Sequence, residues 1–558
     1  MDARSPAPRD AVVARHADLI ESALDAVRTR RAWSPFKDSP STKIHGPDKP
    51  VAGKAAFEAQ LGKPFALDLP GVVDWVSAEI SPYTQQPLGI TYPVSAPEAL
   101  IAAAQAAMPD WAAASPELRA ALCVEMAVRL YDANFEMAHA VMHVAGQSYT
   151  QAFSGSGPNA LDRGIEALAY AVKAMRDVAP AGRYERDFAG ERVVLDKTYA
   201  IVPRGVGLVI CCASFPTWNA YPAMFASLTT GNPVIVKPHP IAVLPMAIVV
   251  RECRRVLADH GFDPNLVTLA VDTLEAPVAQ QLVDHPAVQI VDFTGSPRYG
   301  GHLERTVTGK LLFTETAGVN TVVVESAGDM DAAARAIARA SCLFSAQMCT
   351  SPQVIYVRPD LADGFGQALV EQIDAIAGDP ALAAGIMGAI QGEVSLRAVA
   401  DVRGALDEHP KARVLREAAP YAHPQFPEAR TLTPLVAAVD GSDPALYAEE
   451  HFGPVLFVVR MEGDAAVAEV TRLAREHGSI SSYLYSTDEA FIDRATPLYE
   501  QAGANLTINL TGAMWINFAA AYSDYHVSGL NPAGNACLAD LAFVASRFRI
   551  VQRRRPAA

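Results

Sequence analysis

The chain has 558 residues, 50% of them hydrophobic and 19% charged, with a formal net charge of −15. That length holds two or three domains with sizeable cores. The acidic balance excludes a nucleic-acid binder or a protein of anionic membrane surfaces, since both need clustered positive charge, and neither partner is expected.

The apolar runs Val206 to Phe215 and Ile241 to Val250 are too short to span a bilayer. The start carries no uninterrupted apolar stretch of the signal-peptide kind. The seven cysteines (Cys123, Cys211, Cys212, Cys253, Cys342, Cys349 and Cys537) are scattered and odd in number. They lack metal-ligand spacing, so reduced thiols in a cytoplasm are expected, and no metal site.

Residues 1–85 read as an N-terminal extension. Val12, Val13, Leu19, Ile20, Leu24 and Val27 recur at helical spacing, followed by weakly patterned sequence rich in Pro and Lys. From 96 to 180 the chain reads as helical. One helix opens at Pro97 behind Ser95, a second at Pro116 behind Ser115, and a third runs from about Leu161 to Met175. Residues 183–204 alternate and predict a hairpin turning at Gly190. Such a hairpin is an exposed edge that needs a cover.

From Gly205 apolar strands alternate with helices. Strands are expected at Val206 to Cys212, Pro233 to Lys237, Leu266 to Val271 and Val288 to Phe293. This α/β pattern predicts a doubly wound parallel sheet with helices on both faces, binding ligands beyond the carboxyl ends of its strands. Trp218-Asn219, Lys237 and Thr294-Gly295-Ser296 lie at such ends. The alternation resumes after 311, with strands at Thr321 to Val324, Val354 to Val357, Leu435 to Val439 and Val455 to Val459, and predicts a second α/β domain. The expected division is 1–85, a cofactor domain 86–312, a catalytic domain 313–500, and 501–558 returning to the cofactor domain. Residues 544 to 551 alternate and are expected to pair with the hairpin, with a pairing across a subunit boundary open.

Glu315 and Cys349 are separated by one strand and one helix, which permits a shared cleft. A thiol beside a carboxylate suits covalent chemistry on a carbonyl. Gly295-Ser296 opens a helix after a strand, where a pyrophosphate can sit. Lys237 grips an anion or ribose, or only snorkels. Asn219 donates to an oxyanion, or caps the next helix. Glu450 accepts from ribose hydroxyls, or ends a solvated helix.

Taken in order, Trp218-Asn219, Gly231-Asn232-Pro-Val-Ile-Val-Lys237, Phe293-Thr-Gly-Ser296, Glu315-x-x-Gly318, Gln347-x-Cys349 and Glu450-x-Phe-Gly-Pro454 resemble the aldehyde dehydrogenase superfamily from about residue 80 onward. The resemblance implies a cofactor domain, a catalytic domain and a β oligomerisation element, in a homodimer or homotetramer. It implies Cys349 as nucleophile, Asn219 and the Cys349 N–H as oxyanion donors, and Glu315 as the base that activates water. Lys237 and Glu450 would grip riboses, with His239, Gly295, Ser296 and Phe452 also in the cofactor site. The long N-terminal extension and the tail Asn505 to Gly512 and Asn517 to Asn535 are similar to the phenylacetic acid degradation branch, which implies a ring-opened CoA-thioester semialdehyde as substrate. The benzoyl-CoA pathway semialdehyde dehydrogenases are the neighbouring alternative. A cysteine thioesterase without a redox step is the alternative from another class.

Three departures stand out. Where NAD-preferring members often carry Glu, three residues after the cofactor lysine, this chain has Pro240. Lys237 and His239 stand beside that position, so NADP is expected, with NAD admitted. Val319 stands where the family commonly has Lys. The helix after Asn219 reads as short.

Overall fold

The computed structural model describes residues 9–316, 318–525 and 540–557. Five parallel strands form one sheet in the order Val267–Leu269, Val234–Lys237, Val206–Ile210, Val288–Thr294, Leu311–Glu315. Strands Val206–Ile210 and Val234–Lys237 are buried at every residue, as strands covered on both faces must be. Leu208, Ile210 and Ile235 pack with Leu100, Ile101 and Ala104 of helix Pro97–Ala113. Val209, Val234 and Val236 face the opposite core, with helices Ala220–Thr229 and Leu244–Asp259. The sheet is therefore doubly wound, as the alternation predicts. Chain order reverses across Val206–Ile210, and ligands of such sheets bind in the crevice at that switch point.

A second sheet of seven strands runs Arg413–Arg416, Leu435–Asp440, Val455–Arg460, Val354–Val357, Thr321–Val324, Ser482–Tyr485, Leu506–Ile508. Only Arg413–Arg416 is antiparallel to its neighbour. Val322, Val324, Ile355 and Val357 pack with helix Met330–Cys342, while Val323, Val354 and Tyr356 share a core with helix Gly463–His477.

The hairpin forms from Ala181–Phe188 and Glu191–Pro203, and Gly190 supplies the turn at φ 87°. The tail strand Phe548–Pro556 pairs with it from Phe548↔Pro203 to Pro556↔Leu195. This pairing is made within the chain, not across a subunit boundary. Residues Leu541–Ala545 are helical, so the strand starts later than the alternation suggests.

Ser115 caps helix Pro116–Asp132, its Oγ accepting from the Leu118 N–H at 3.1 Å. Ser95 does not cap. It ends strand Tyr92–Ser95, paired with Val72–Val76, and Ala96 holds the N-cap position ahead of Pro97. Proline at the first helical position fixes φ and starts the helix without a side-chain cap. Helix Arg9–Thr29 buries Val12, Ile20 and Val27 and packs on helices Pro116–Asp132 and Pro158–Arg176. The Pro- and Lys-rich stretch after it holds helix Asp48–Glu58, whose one buried residue, Phe57, leaves no apolar pattern to read.

The part of the tail resemblance from His526 to Asn535, and Cys537, lie outside the described residues. Cys123, Cys211, Cys212, Cys253 and Cys342 are unbridged thiols. Among the described residues no helix is long and apolar enough to cross a membrane.

Arg547 ties the tail to the cofactor sheet. Its side chain is fully buried, with Nη1 2.9 Å from Asp292 Oδ2 and Nη2 2.6 Å from Asp292 Oδ1. The guanidinium also stacks 4.1 Å from the Phe543 ring. Removing one member strands a buried charge, which costs about 3–5 kcal/mol. Arg547→Met therefore lowers the unfolding free energy by about that amount, read from the urea midpoint at unchanged m-value. A change below about 1 kcal/mol refutes the tie.

Candidate active site

The site is assembled from strand ends. Lys237 ends one strand of the cofactor sheet and Glu315 another. Gly295 and Ser296 follow a third, Val288–Thr294, and lead into helix Pro297–Thr306. Asn219 holds the N-cap position of helix Ala220–Thr229, and its Nδ2 donates to Thr294 Oγ1 at 3.0 Å. Cys349 lies in the loop after helix Met330–Cys342, and Glu450 and Phe452 precede strand Val455–Arg460. These residues and His239 line one continuous cavity of about 1850 Å³ between the two sheets' ends. The nine residues singled out in the sequence are thus brought together.

Cys349 is half-buried and reached through a strained turn. Phe344, Ser345 and Ala346 hold φ of 51°, 48° and 53°, left-handed values that cost non-glycine residues about 1–3 kcal/mol each. Buried side-chain amides hold the loop against that strain. Gln347 Nε2 donates to Phe344 O and Ala389 O, both at 3.1 Å. Asn320 Nδ2 donates to Cys349 O at 2.7 Å, while its Oδ1 accepts from the Ile480 and Ser481 N–H groups. Sequence reasoning passed over Asn320, although a polar residue abutting the fully buried strand Thr321–Val324 is a signal. Gln353 was also missed. It donates to Glu449 O and accepts from the His451 N–H, both at 2.9 Å, and so positions Glu450 between them.

The electrostatics keep the proton on the Cys349 thiol. Burial pushes the thiol well above its ordinary range, and the charges of Glu315, Cys212 and Glu450 push it further. Glu315 is hydrogen-bonded to the thiol. The base thus stands where it can take the proton, and a positive charge brought beside the pair lowers the thiol's pKa. Burial also raises Glu450, to about 8, against the Gly318 N–H, which lowers it.

The wall toward Lys237 fits a dinucleotide. Helix Pro297–Thr306 presents its N-terminus behind Gly295-Ser296, where anions bind. A Cβ on Gly295 would meet the Phe293 ring at 2.7 Å, so only glycine keeps the backbone this close. Lys237 Nζ lies 2.6 Å from Asp272 Oδ1. His239 is lowered to about 4, by burial first and the Lys237 charge second, so it is neutral at pH 7. The two cations behind the NADP expectation are thus one paired lysine and one uncharged imidazole.

The rest of the lining comes from segments outside the cofactor sheet, among them Gln151, Asn159, Phe215, Trp218, Trp515 and Phe518. Asp38, from the N-terminal extension, reaches the same cavity. Among the described lining residues of 151–159, 215–218 and 515–519 there is no Lys, Arg or His.

Comparison with known proteins finds the same family and fold. The model of the aldehyde dehydrogenase family matches residues 75–522. A vanillin dehydrogenase of Pseudomonas fluorescens is 28% identical over 400 residues, 70% of this chain and 77% of that protein. The crystal structure of an NAD-dependent aldehyde dehydrogenase from Burkholderia multivorans superposes with TM-score 0.93 at 41% identity, covering 98% of this chain and 99% of that one. An NADP-dependent glyceraldehyde-3-phosphate dehydrogenase from Bacillus halodurans C-125, complexed with NADP, shares the fold at TM-score 0.67 and 20% identity, covering 87% and 96%.

Proposed function

The chain belongs to the aldehyde dehydrogenase family, and from that premise we propose that it oxidises an aldehyde to the carboxylate through a thioester on Cys349, with NAD(P) as cofactor. The observation that carries this is the hydrogen-bonded Glu315–Cys349 pair, set in the cavity that also holds Lys237, Ser296 and Glu450.

The residues divide the work as follows. Cys349 Sγ attacks the carbonyl carbon and its proton passes to the Glu315 carboxylate. Asn219 Nδ2 and the Cys349 N–H donate to the oxygen as it gains charge. A bound nicotinamide dinucleotide supplies the two-electron acceptor for the hydrogen on that carbon. Glu315 sheds the thiol proton to solvent, and its carboxylate then takes a proton from the water that attacks the thioester left on Cys349. The Cys349 sulfur departs, and the acid is released. Lys237 and Glu450 would hold the riboses of the bound dinucleotide, Gly295-Ser296 and the helix behind them would hold its pyrophosphate, and His239 and Phe452 would close the cofactor wall.

The substrate proposed is a ring-opened CoA-thioester semialdehyde of phenylacetate catabolism. The aromatic and amide groups of segments 151–159, 215–218 and 515–519, which line the cavity without a cation, support an uncharged chain directly behind the aldehyde over a free carboxylate. A homodimer or homotetramer is proposed on the exposed Phe188, Ile550 and Val551 of the three-stranded sheet, and a cytoplasmic setting on the unbridged thiols.

Purified protein given NAD or NADP and a panel of aldehydes develops the reduced-nicotinamide absorbance. The CoA-linked semialdehyde gives a higher kcat/KM than its free-acid analogue. Equal or better turnover of the free acid sinks the substrate reading. Thioester hydrolysis without dinucleotide, in the absence of any redox turnover, favours a thioesterase instead.

Cofactor binding carries a pH signature. The Glu450 carboxyl titrates near 8 in the folded chain, against 4.5 ordinarily, so at pH 7 its protonated form dominates. A ribose hydroxyl is best accepted by the ionised form. Dinucleotide affinity accordingly rises as pH climbs through 8, and Glu450→Gln flattens the profile. An identical slope in the variant rules out Glu450 as the source.

A further inference from the structure

Asp272 was not among the residues the sequence singled out. It follows strand Val267–Leu269, which runs parallel to Val234–Lys237 with Val236 opposite Leu269. That register brings Asp272 to the end of Lys237's strand. Its side chain is 1% exposed, yet the residue lines the cavity with Lys237, His239 and Pro240. Oδ2 accepts from the Val278 N–H at 3.0 Å, which fixes the carboxylate's orientation. Oδ1 is 2.6 Å from Lys237 Nζ as an ion pair, but the contact lacks hydrogen-bond alignment and Oδ1 has no hydrogen-bond partner among the described residues. A buried carboxylate oxygen without an aligned donor is costly unless a ligand supplies one.

We propose that Asp272 selects the dinucleotide, accepting from the adenosine ribose 2′-hydroxyl of NAD through Oδ1 and repelling the 2′-phosphate of NADP. This rests on the reading that the cavity binds a nicotinamide dinucleotide. An acidic group on the 2′-hydroxyl is the general device by which dinucleotide folds favour NAD. In this chain the residue three positions after the lysine, Pro240, has no side-chain acceptor, and Asp272 brings a carboxylate to the same lysine from the neighbouring strand. Lys237 keeps its role. Its ammonium pairs in charge with Asp272 and donates to Pro238 O at 3.0 Å, which leaves donors of the three for a ribose. The Lys237–Asp272 pair is neutral as a unit, so a 2′-phosphate placed there gains no net positive charge. The imidazole beside it, His239, adds none at neutral pH.

The test is calorimetric titration of the full chain with NAD and with NADP, without aldehyde, so the readout is binding. The wild-type chain binds NAD more tightly than NADP by about 10- to 100-fold, the range of one charge-assisted hydrogen bond. Asp272→Asn weakens NAD, strengthens NADP and brings the ratio within about threefold of unity. Adding Pro240→Glu to that variant returns a carboxylate from the other side and restores the preference for NAD. NADP bound as tightly as NAD by the wild type, or a ratio unmoved in Asp272→Asn, overturns the assignment while leaving dinucleotide binding intact. Binding of neither dinucleotide overturns the assignment together with the reading beneath it. The wild-type ratio decides the first point even if the variant fails to fold.

Discussion

Cys349→Ala abolishes aldehyde oxidation, lowering kcat/KM by on the order of 10⁶-fold, the size of loss that follows deletion of a covalent nucleophile. The turn that delivers Cys349 holds three consecutive non-glycine residues in left-handed conformation, and Asn320 and Gln347 bond the loop on both sides of the thiol. A fold keeps such strain where the surroundings over-determine it, which is typical of a reacting site. The substitution removes one sulfur from a half-buried position and leaves those bonds in place. Stability and dinucleotide binding therefore stay near wild type, and calorimetric titration beside the rate assay separates lost chemistry from lost fold. Cys212, which also lines the cavity, tests the assignment from the other side. Cys212→Ala retains turnover, whereas a rate lost in Cys212→Ala and kept in Cys349→Ala moves the nucleophile.

The parts of this site that were legible in sequence share a physical reason. Lys237 and Glu315 end apolar runs, and Gly295-Ser296 directly follows one. In a parallel sheet strand ends converge on one edge, so their one-dimensional order permitted a common cleft. Cys349 and Asn219 came with the ordered motif set. Asp272 was not legible, because its meaning depends on the register of Val267–Leu269 against Val234–Lys237, and two residues separate it from the strand end. Asn320 was hidden for the opposite reason. It contacts segments far along the chain, Cys349 on one side and Ile480 and Ser481 on the other, and no local pattern encodes such reach. The N-terminal extension misled in its own way. Helix Arg9–Thr29 showed its apolar face plainly, but the face says nothing of what it covers. Asp38 entering the cavity could be known only from the fold.

Glu315→Gln separates the two halves of the reaction. Water attack on the thioester needs a base, and Glu315 is the carboxylate bonded to the Cys349 thiol. Without it the steady-state rate falls by about 10²- to 10⁴-fold, the usual contribution of a positioned general base. Oxidation to the thioester still proceeds, so a rapid mix with aldehyde and dinucleotide gives a burst of reduced nicotinamide of one equivalent per active site, followed by a stall. A second consequence concerns the thiol itself. The Glu315 charge and its hydrogen bond both raise the Cys349 pKa. A neutral amide removes the repulsion, so the thiolate forms at lower pH in the variant than in the wild type. Alkylation by iodoacetamide, followed against pH, reports this directly, and its midpoint moves down in Glu315→Gln. A variant that shows the burst but no shift keeps Glu315 as the hydrolytic base and removes it as the partner of the thiol. A shift without a burst assigns Glu315 to activating Cys349 and leaves water activation to another group.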